Sequence, residues 1–261
     1  MSASSTLQKD PQQAVARPVR QAAFLIVIIL GAFLSGCTST LRKAPGYDQT
    51  INRVKTIAVM PPDVEVYKLT AGNVRELMDE WSTQSKRFIK KSLETHLAER
   101  FGFNIKFVEE DWLKTNHKEL WNTHRALYNA VAISALLHSY PGENIFQTKV
   151  KNFDYTLGPD VAELASVCGA DAFLFIYGFD HEATAGRVAL WWWNLVVGAA
   201  TGVTILPTNP SALMLGLVDG KTGDVIWFKT SQPQTEYSFR TEKHMDKLIE
   251  WLTRDLINKK Q

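Results

Sequence analysis

Two stretches of the chain hold side chains able to do chemistry. One is Leu34-Ser35-Gly36-Cys37, where a thiol follows two small residues at the end of an apolar run. A thiol there is a nucleophile open to alkylation, on a backbone that its small neighbours leave accessible. The other is Asp180-His181-Glu182, the densest set of metal-ligating or acid–base groups. It follows a run that reads as a strand, where adjacent side chains point to opposite faces, so the expectation is a solvated strand end. The histidines form no HExxH or HxH pair and there is no CxxC, which leaves no zinc pattern and no metal site to expect. Glu109-Glu110-Asp111 reads as a polar turn with a helix N-cap at Asp111. The loop Asp219 to Gly223, DGKTG, is too short between its glycines for a phosphate loop and is followed by a strand rather than a helix. Cys168 comes with no base or orienting group. No catalytic residue and no cofactor are expected, and the chain is not expected to be an enzyme.

The thiol at Cys37 is presented by an amino-terminal segment with a recognisable plan. Arg17 and Arg20 precede the apolar stretch Ala22 to Leu34, the charge and length pattern of a signal peptide. With Leu34, Ser35 and Gly36 for recognition by the signal peptidase and Cys37 for lipidation, it resembles the lipobox of bacterial lipoproteins. The competing reading is an uncleaved signal anchor, because the run is only a little shorter than a spanning helix of about 20 residues. The resemblance implies that Cys37 becomes the lipidated first residue of the mature chain. Thr38 rather than Asp follows it, which by the sorting rule of these lipoproteins implies the periplasmic face of the outer membrane. Residues 1–36 are thus a signal peptide, 37–50 a polar, turn-rich lipidated tether, and 51–261 a periplasmic domain.

Charge and composition narrow the partners of that domain. The chain has 261 residues, 45% of them hydrophobic and 21% charged, enough for one core of ordinary size. Removing Lys9, Arg17, Arg20 and Asp10 with the signal segment takes 29 basic and 27 acidic residues to 26 of each. A balanced charge carries no footprint for nucleic acid. Acylation of Cys37 leaves Cys168 alone, so no intrachain disulfide is possible.

Periodicity supplies the elements. VKTIAVMPP (54–62) is a buried strand stopped by prolines. A stretch from about Asn73 to Phe101, with Val74, Leu77, Met78, Trp81, Phe88, Leu93 and Leu97 at helical spacing, is an amphipathic helix. FNIKFVEE alternates as a strand. Residues 111–155 read as a helical insert with Trp112, Leu120, Trp121, Leu127, Val131, Ile133 and Leu136 as its apolar positions. PDVAELASVC is a short helix closed by Gly169, and 172–179 a strong strand. SALMLGLVDGKTGDVIWFKTS is a hairpin, and the last helix buries Met245, Leu248, Ile249, Leu252 and Leu256. The order β-α-β-α-β-β-β-α predicts an α/β fold: a single mixed-sheet domain flanked by helices, with a Trp-rich apolar insertion.

The strand ending in VMPP, the helix–strand LASVCGADAFLFIYG and the hairpin LGLVDGKTGDVIWFKT together resemble the superfamily of CsgG-type secretion lipoproteins, lipoprotein activators of peptidoglycan synthases and the amino-terminal domain of TolB. The likeness runs through most of residues 52–258 in order of elements. It implies a tethered periplasmic α/β domain that forms homo-oligomers or scaffolds an envelope partner, in assembly or export, or else a regulator that binds and activates a cell-envelope enzyme. The insert at 111–155 and the segment at 188–206 are longer than that pattern.

That last segment, VALWWWNLVVGAATGVTIL, has no ionisable residue. As a helix it would span about 28 Å, against a hydrocarbon core of about 30 Å. Trp191, Trp192 and Trp193 cluster as in an interfacial aromatic belt, and Gly198 and Gly202 have the spacing that lets helices approach closely. Three adjacent tryptophans cannot all face one core from a helix. Contact with the membrane, a subunit interface and a buried element of the same domain are all compatible with the sequence.

Overall fold

The computed structural model describes residues 41–70, 72, 74–98, 102–140, 145–184, 211–231 and 237–256. All of them belong to one compact unit, Thr40–Gln261. Its frame is a mixed sheet in the order β1(Leu41–Lys43)-β8(Val225–Thr230)-β7(Ala212–Asp219)-β6(Ala172–Ala183)-β2(Thr56–Val59)-β5(Asn104–Phe107). β6 is long enough to take two partners in succession on one side: β2 along 172–174, then β3(Asp63–Leu69) along 177–183, both parallel to it. β4(Arg75–Leu77) closes that side as an antiparallel edge on β3. The prolines after β2 therefore interrupt one line of strand rather than end it.

Helices cover both faces, in keeping with the α/β mixed-sheet fold expected. On one face lie α1(Tyr47–Arg53), α2(Asp79–Ala98) and the carboxyl-terminal α7(Glu242–Thr253). Ile89, Leu93 and Leu97 of α2 and Met245, Leu248, Ile249 and Leu252 of α7 are buried there against Ile57, Val59, Leu174 and Ile176. On the other face lie α3(Glu110–Asn116), α4(Lys118–His138), α5(Gln147–Lys151) and α6(Val161–Cys168). Trp121, Tyr128, Ala132 and Ala135 of α4 meet Phe173, Phe175 and Met214 of the sheet.

Three expectations are corrected. Residues 41–50 are not tether: β1 pairs with β8, and Tyr47 and Ile51 of α1 are buried, with the Tyr47 hydroxyl donating to the Leu256 carbonyl at 2.8 Å. Desolvation in that position pushes the Tyr47 hydroxyl up to about 12. The helix expected from Asn73 starts at Asp79, because Val74 and Leu77 belong to the exposed β3–β4 hairpin. The segment 111–155 is no appendage. It is most of the crossover from β5 to β6 and supplies α3 to α5 of the second helical layer. Of its expected apolar positions, Trp121 is buried and Leu120, Val131 and Leu136 pack against the core, whereas Trp112, Leu127 and Ile133 are exposed and His124 and Tyr128 are buried.

Candidate functional site

Strand directions decide which ends of the chain lie together. β6 and β3 run towards Ala183 and Leu69; β7 starts at Ala212 beside Phe179; β8 ends at Thr230 beside Met214; β1 starts at Leu41 beside Lys229. The carboxyl end of β6 is thus also where the chain enters β1, and it is where residues 185–210 leave from Thr184 and return at Ser211. Leu34, Ser35, Gly36, Cys37, Trp191, Trp192, Trp193, Gly198 and Gly202 lie outside the described residues. What the fold fixes is the place from which both segments depart.

The same end carries the acidic cluster. The alternation of the strand separates its side chains as expected, but the strand end is not solvated: Asp180 and His181 are buried. Asp180 accepts the Phe239 N–H at 2.9 Å and Glu182 accepts the Ser238 hydroxyl on one face, whereas His181 stacks on Tyr67 on the other, ring centres 5.2 Å apart. Burial pushes the Asp180 carboxyl up to about 6, more than the Phe239 N–H lowers it. These groups fasten the approach to α7 onto the end of β6. Among the described residues no group of three or more His, Cys, Asp or Glu side chains could hold a metal ion.

The other candidates also resolve into structure. The Asp219 carboxylate accepts the Lys221 N–H and the Thr222 hydroxyl, both at 3.0 Å, and pairs with Arg53. It ties the DGKTG turn to itself. Gly223 has φ 79°, and a Cβ there would fall 2.0 Å from the Gly158 carbonyl oxygen. The Cys168 thiol is pushed up to about 11 by burial, with Lys106 acting against it, which is far from a nucleophile's range. Glu109, not Asp111, occupies the position before α3, and no side-chain cap forms.

Sequence reading missed one feature, a cleft of about 400 Å³ at the carboxyl ends of β2 and β5. Its floor is Met60, Pro61, Phe107 and Val108, and its wall is the Lys86, Arg87 and Lys90 side of α2, with Glu109, Glu110 and Lys114 opposite. Lys90 pairs with Glu109 at 2.6 Å and Lys114 with Glu110 at 2.9 Å. The signal lay in the sequence as the cations on one flank of the helix, but only the topology brings them to a strand end.

No family model matches the sequence, and no curated protein matches it. Among solved structures, the chain is similar to the PelC dodecamer from Paraburkholderia phytofirmans, at 10% identity and a TM-score of 0.34 over 83% of this chain and 94% of that one. It is similar to lipoprotein GNA1162 from Neisseria meningitidis at 13% identity and a TM-score of 0.34, over 77% and 97%. The LpoB carboxyl-terminal domain from Salmonella enterica follows at 10% identity and a TM-score of 0.25, over 71% and 90%. Similarity of this degree assigns no activity, so the functional reading rests on the chain's own residues.

Proposed function

We propose that this chain is a lipoprotein, anchored through Cys37 on the periplasmic face of the outer membrane, that serves without chemistry of its own as a scaffold or oligomeric component of an envelope assembly or export system. The observation that carries the reading is the shared departure point. Cys37 precedes Leu41 by four residues, a reach of at most about 14 Å, and Leu41 enters the sheet from the end at which 185–210 leave and return. A lipid on Cys37 turns that end towards the bilayer and the apolar segment with it.

The strands also limit how that segment meets the membrane. Thr184 and Ser211 belong to one sheet, so any crossing between them must be even in number. Two helical crossings need about 40 residues, more than 185–210 provide, whereas a pair of strands of about 9–11 residues each would fit. On this reading Trp191, Trp192 and Trp193 meet the membrane or a neighbouring subunit without a helical crossing, with Gly198 and Gly202 as close-approach points. A version of the protein with a cleavable secretory signal and no Cys37 tests this by alkaline carbonate extraction. Retention in the membrane pellet is the expected result, together with a defined oligomer in detergent. Release as a soluble monomer would overturn the reading. The cleft on the β5 side favours a second one, a periplasmic regulator that binds and activates an envelope enzyme and does not self-assemble.

A further inference from the structure

We propose that the cleft at the carboxyl ends of β2 and β5 is a docking site for an extended acidic segment of a partner protein, which seats an apolar side chain on Pro61 and Phe107 and its carboxylates on Lys86 and Arg87. The inference names the partner chemistry for the binding readings above. It rests on the chain acting by binding, though not on membrane contact.

Topology first makes this place a crevice. β2 lies between β5 and β6. The crossover from β3 and β4 into β5 passes through α2 on one face, and the crossover from β5 to β6 passes through α3 to α6 on the other. Where consecutive crossovers leave a sheet on opposite faces, their helices part at the carboxyl ends of the strands and a binding crevice opens. Its volume of about 400 Å³ is within the range of ligand sites, roughly 300–1,000 Å³.

Charge then selects the ligand. Four cations line the cleft against two carboxylates. Lys90 and Lys114 are paired with the two glutamates, whereas Lys86 and Arg87 make no ion pair among the described residues. Two uncompensated positive charges beside an apolar floor fit a ligand that is anionic and partly apolar. An inorganic anion would leave Pro61, Phe107 and Val108 uncovered.

Shape selects an extended chain. β5 pairs only with β2 among the described strands. Asn104 N–H donates to the Lys55 carbonyl at 2.8 Å and Val108 N–H to that of Val59 at 3.0 Å. By the alternation of a parallel ladder, the backbone groups of Ile105 and Phe107 point away from β2. They form a free edge of the kind to which a peptide adds as a strand, and the side chains of these two residues pack on the α2 face of the sheet. A strand added there runs beside Phe107 into the cleft.

The test uses the full chain in detergent micelles and fluorescein-labelled octapeptides of alternating Glu and Leu, Lys and Leu, and Glu and Ser, read by fluorescence anisotropy. The Glu–Leu peptide is expected to bind saturably and the other two to bind at least about tenfold more weakly. Added salt should weaken the binding, because the contributing charges are at the surface. The double variant Lys86→Glu, Arg87→Glu should lose at least about tenfold in affinity. Lys91→Glu, on the same helix but paired with Glu242 outside the cleft, should bind as the parent does and controls for a general effect of charge on α2. Failure of the Glu–Leu peptide to saturate, equal binding by the Lys–Leu peptide, or an unchanged double variant would each overturn the assignment. Carbonate extraction of the double variant should match that of the parent, so failure here and failure of the membrane reading are separate results.

Discussion

A carboxyl group that burial holds protonated leaves a signature opposite to that of an ion-paired one, and Asp180 shows which applies at the end of β6. Its ordinary value of 3.8 rises to about 6, from burial first and with the nearby Glu182 adding to it. Between about pH 4 and 6 the folded protein keeps a proton that the unfolded chain has lost. The stability this group contributes is therefore complete below about pH 4 and is lost as the pH rises through 6. The rise corresponds to roughly 3 kcal/mol. Asp180→Asn cannot ionise yet keeps an acceptor for the Phe239 N–H. Urea denaturation at pH 4, 5, 6 and 7 should show the variant gaining on the parent by about 2–3 kcal/mol across that range. Parallel curves would show that the carboxyl is not desolvated. Asp171 and Asp246 work in the other sense: hydrogen bonds from the Thr56 and Lys55 N–H groups, and from Ser92, hold these carboxyls below the usual range. Strand alternation made the separation of Asp180 from His181 legible in the sequence. The fastening to Phe239 was not, because its partner is 59 residues away. Lys229 illustrates the same limit. A charged residue in a hairpin strand, it is buried, with Nζ 2.6 Å from Asp255 and 2.7 Å from the Trp251 carbonyl.

At the scale of elements, patterning located the strands whose apolar runs or alternation stand alone, and failed where a neighbouring segment continued or masked the pattern. β5, with Ile105 and Phe107 alternating against polar neighbours, was readable, as was the buried face of α7. β3 alternates too, with Val64 and Val66 buried around Glu65. It was hidden because the rest of the β3–β4 hairpin leaves Val74 and Leu77 exposed, at a spacing that continues the helical pattern of α2. In α4 Trp121 was rightly placed on the core face, but Leu127 and Ile133 misled, since the rest of the buried face is Tyr128, Ala132 and Ala135. The reason is the close approach at Gly216, where an added Cβ would lie 2.6 Å from the buried Tyr128 ring and 2.7 Å from its hydroxyl oxygen. Small residues on both elements let helix and sheet meet, and Leu127 or Ile133 would not fit. Gly216→Ala should therefore cost about 1–3 kcal/mol of stability by overpacking. Combined with Tyr128→Leu, it should cost less than the sum of the two single changes, because the contact they share has gone. Strict additivity in urea melts of the four proteins would show that α4 is held elsewhere.

For the whole molecule, the consequence of the topology is polarity. One end of the sheet gathers the entry of β1, the exit and return of 185–210, and the tip of the β3–β4 hairpin, while the cleft lies at the β5 edge, five strand spacings or about 24 Å across from β1. The run resembling a lipobox and the apolar run at 188–206 are separate signals in the sequence. That the chain enters β1 at the same end of the sheet at which β6 ends and β7 begins follows only from strand order. On the proposed reading, with β1 beginning at Leu41, a lipid on Cys37 would have little slack and would hold this end of the sheet against the bilayer. The β3–β4 hairpin protrudes: Val74 is 62% and Leu77 46% exposed, flanked by Lys68 and Arg75. On the proposed reading these side chains touch lipid. Val74→Asp with Leu77→Asp in the protein lacking Cys37 should leave the unfolding free energy from urea melts within about 0.5 kcal/mol of the parent, since neither side chain is buried. The same change should lower sedimentation with phosphatidylethanolamine–phosphatidylglycerol vesicles severalfold, because each added charge at a lipid surface loses apolar burial and is repelled by anionic headgroups. Unchanged sedimentation would mean that this end of the sheet faces another protein, and the exposed hairpin would then belong with Trp191 to Trp193 in a subunit interface rather than at a membrane.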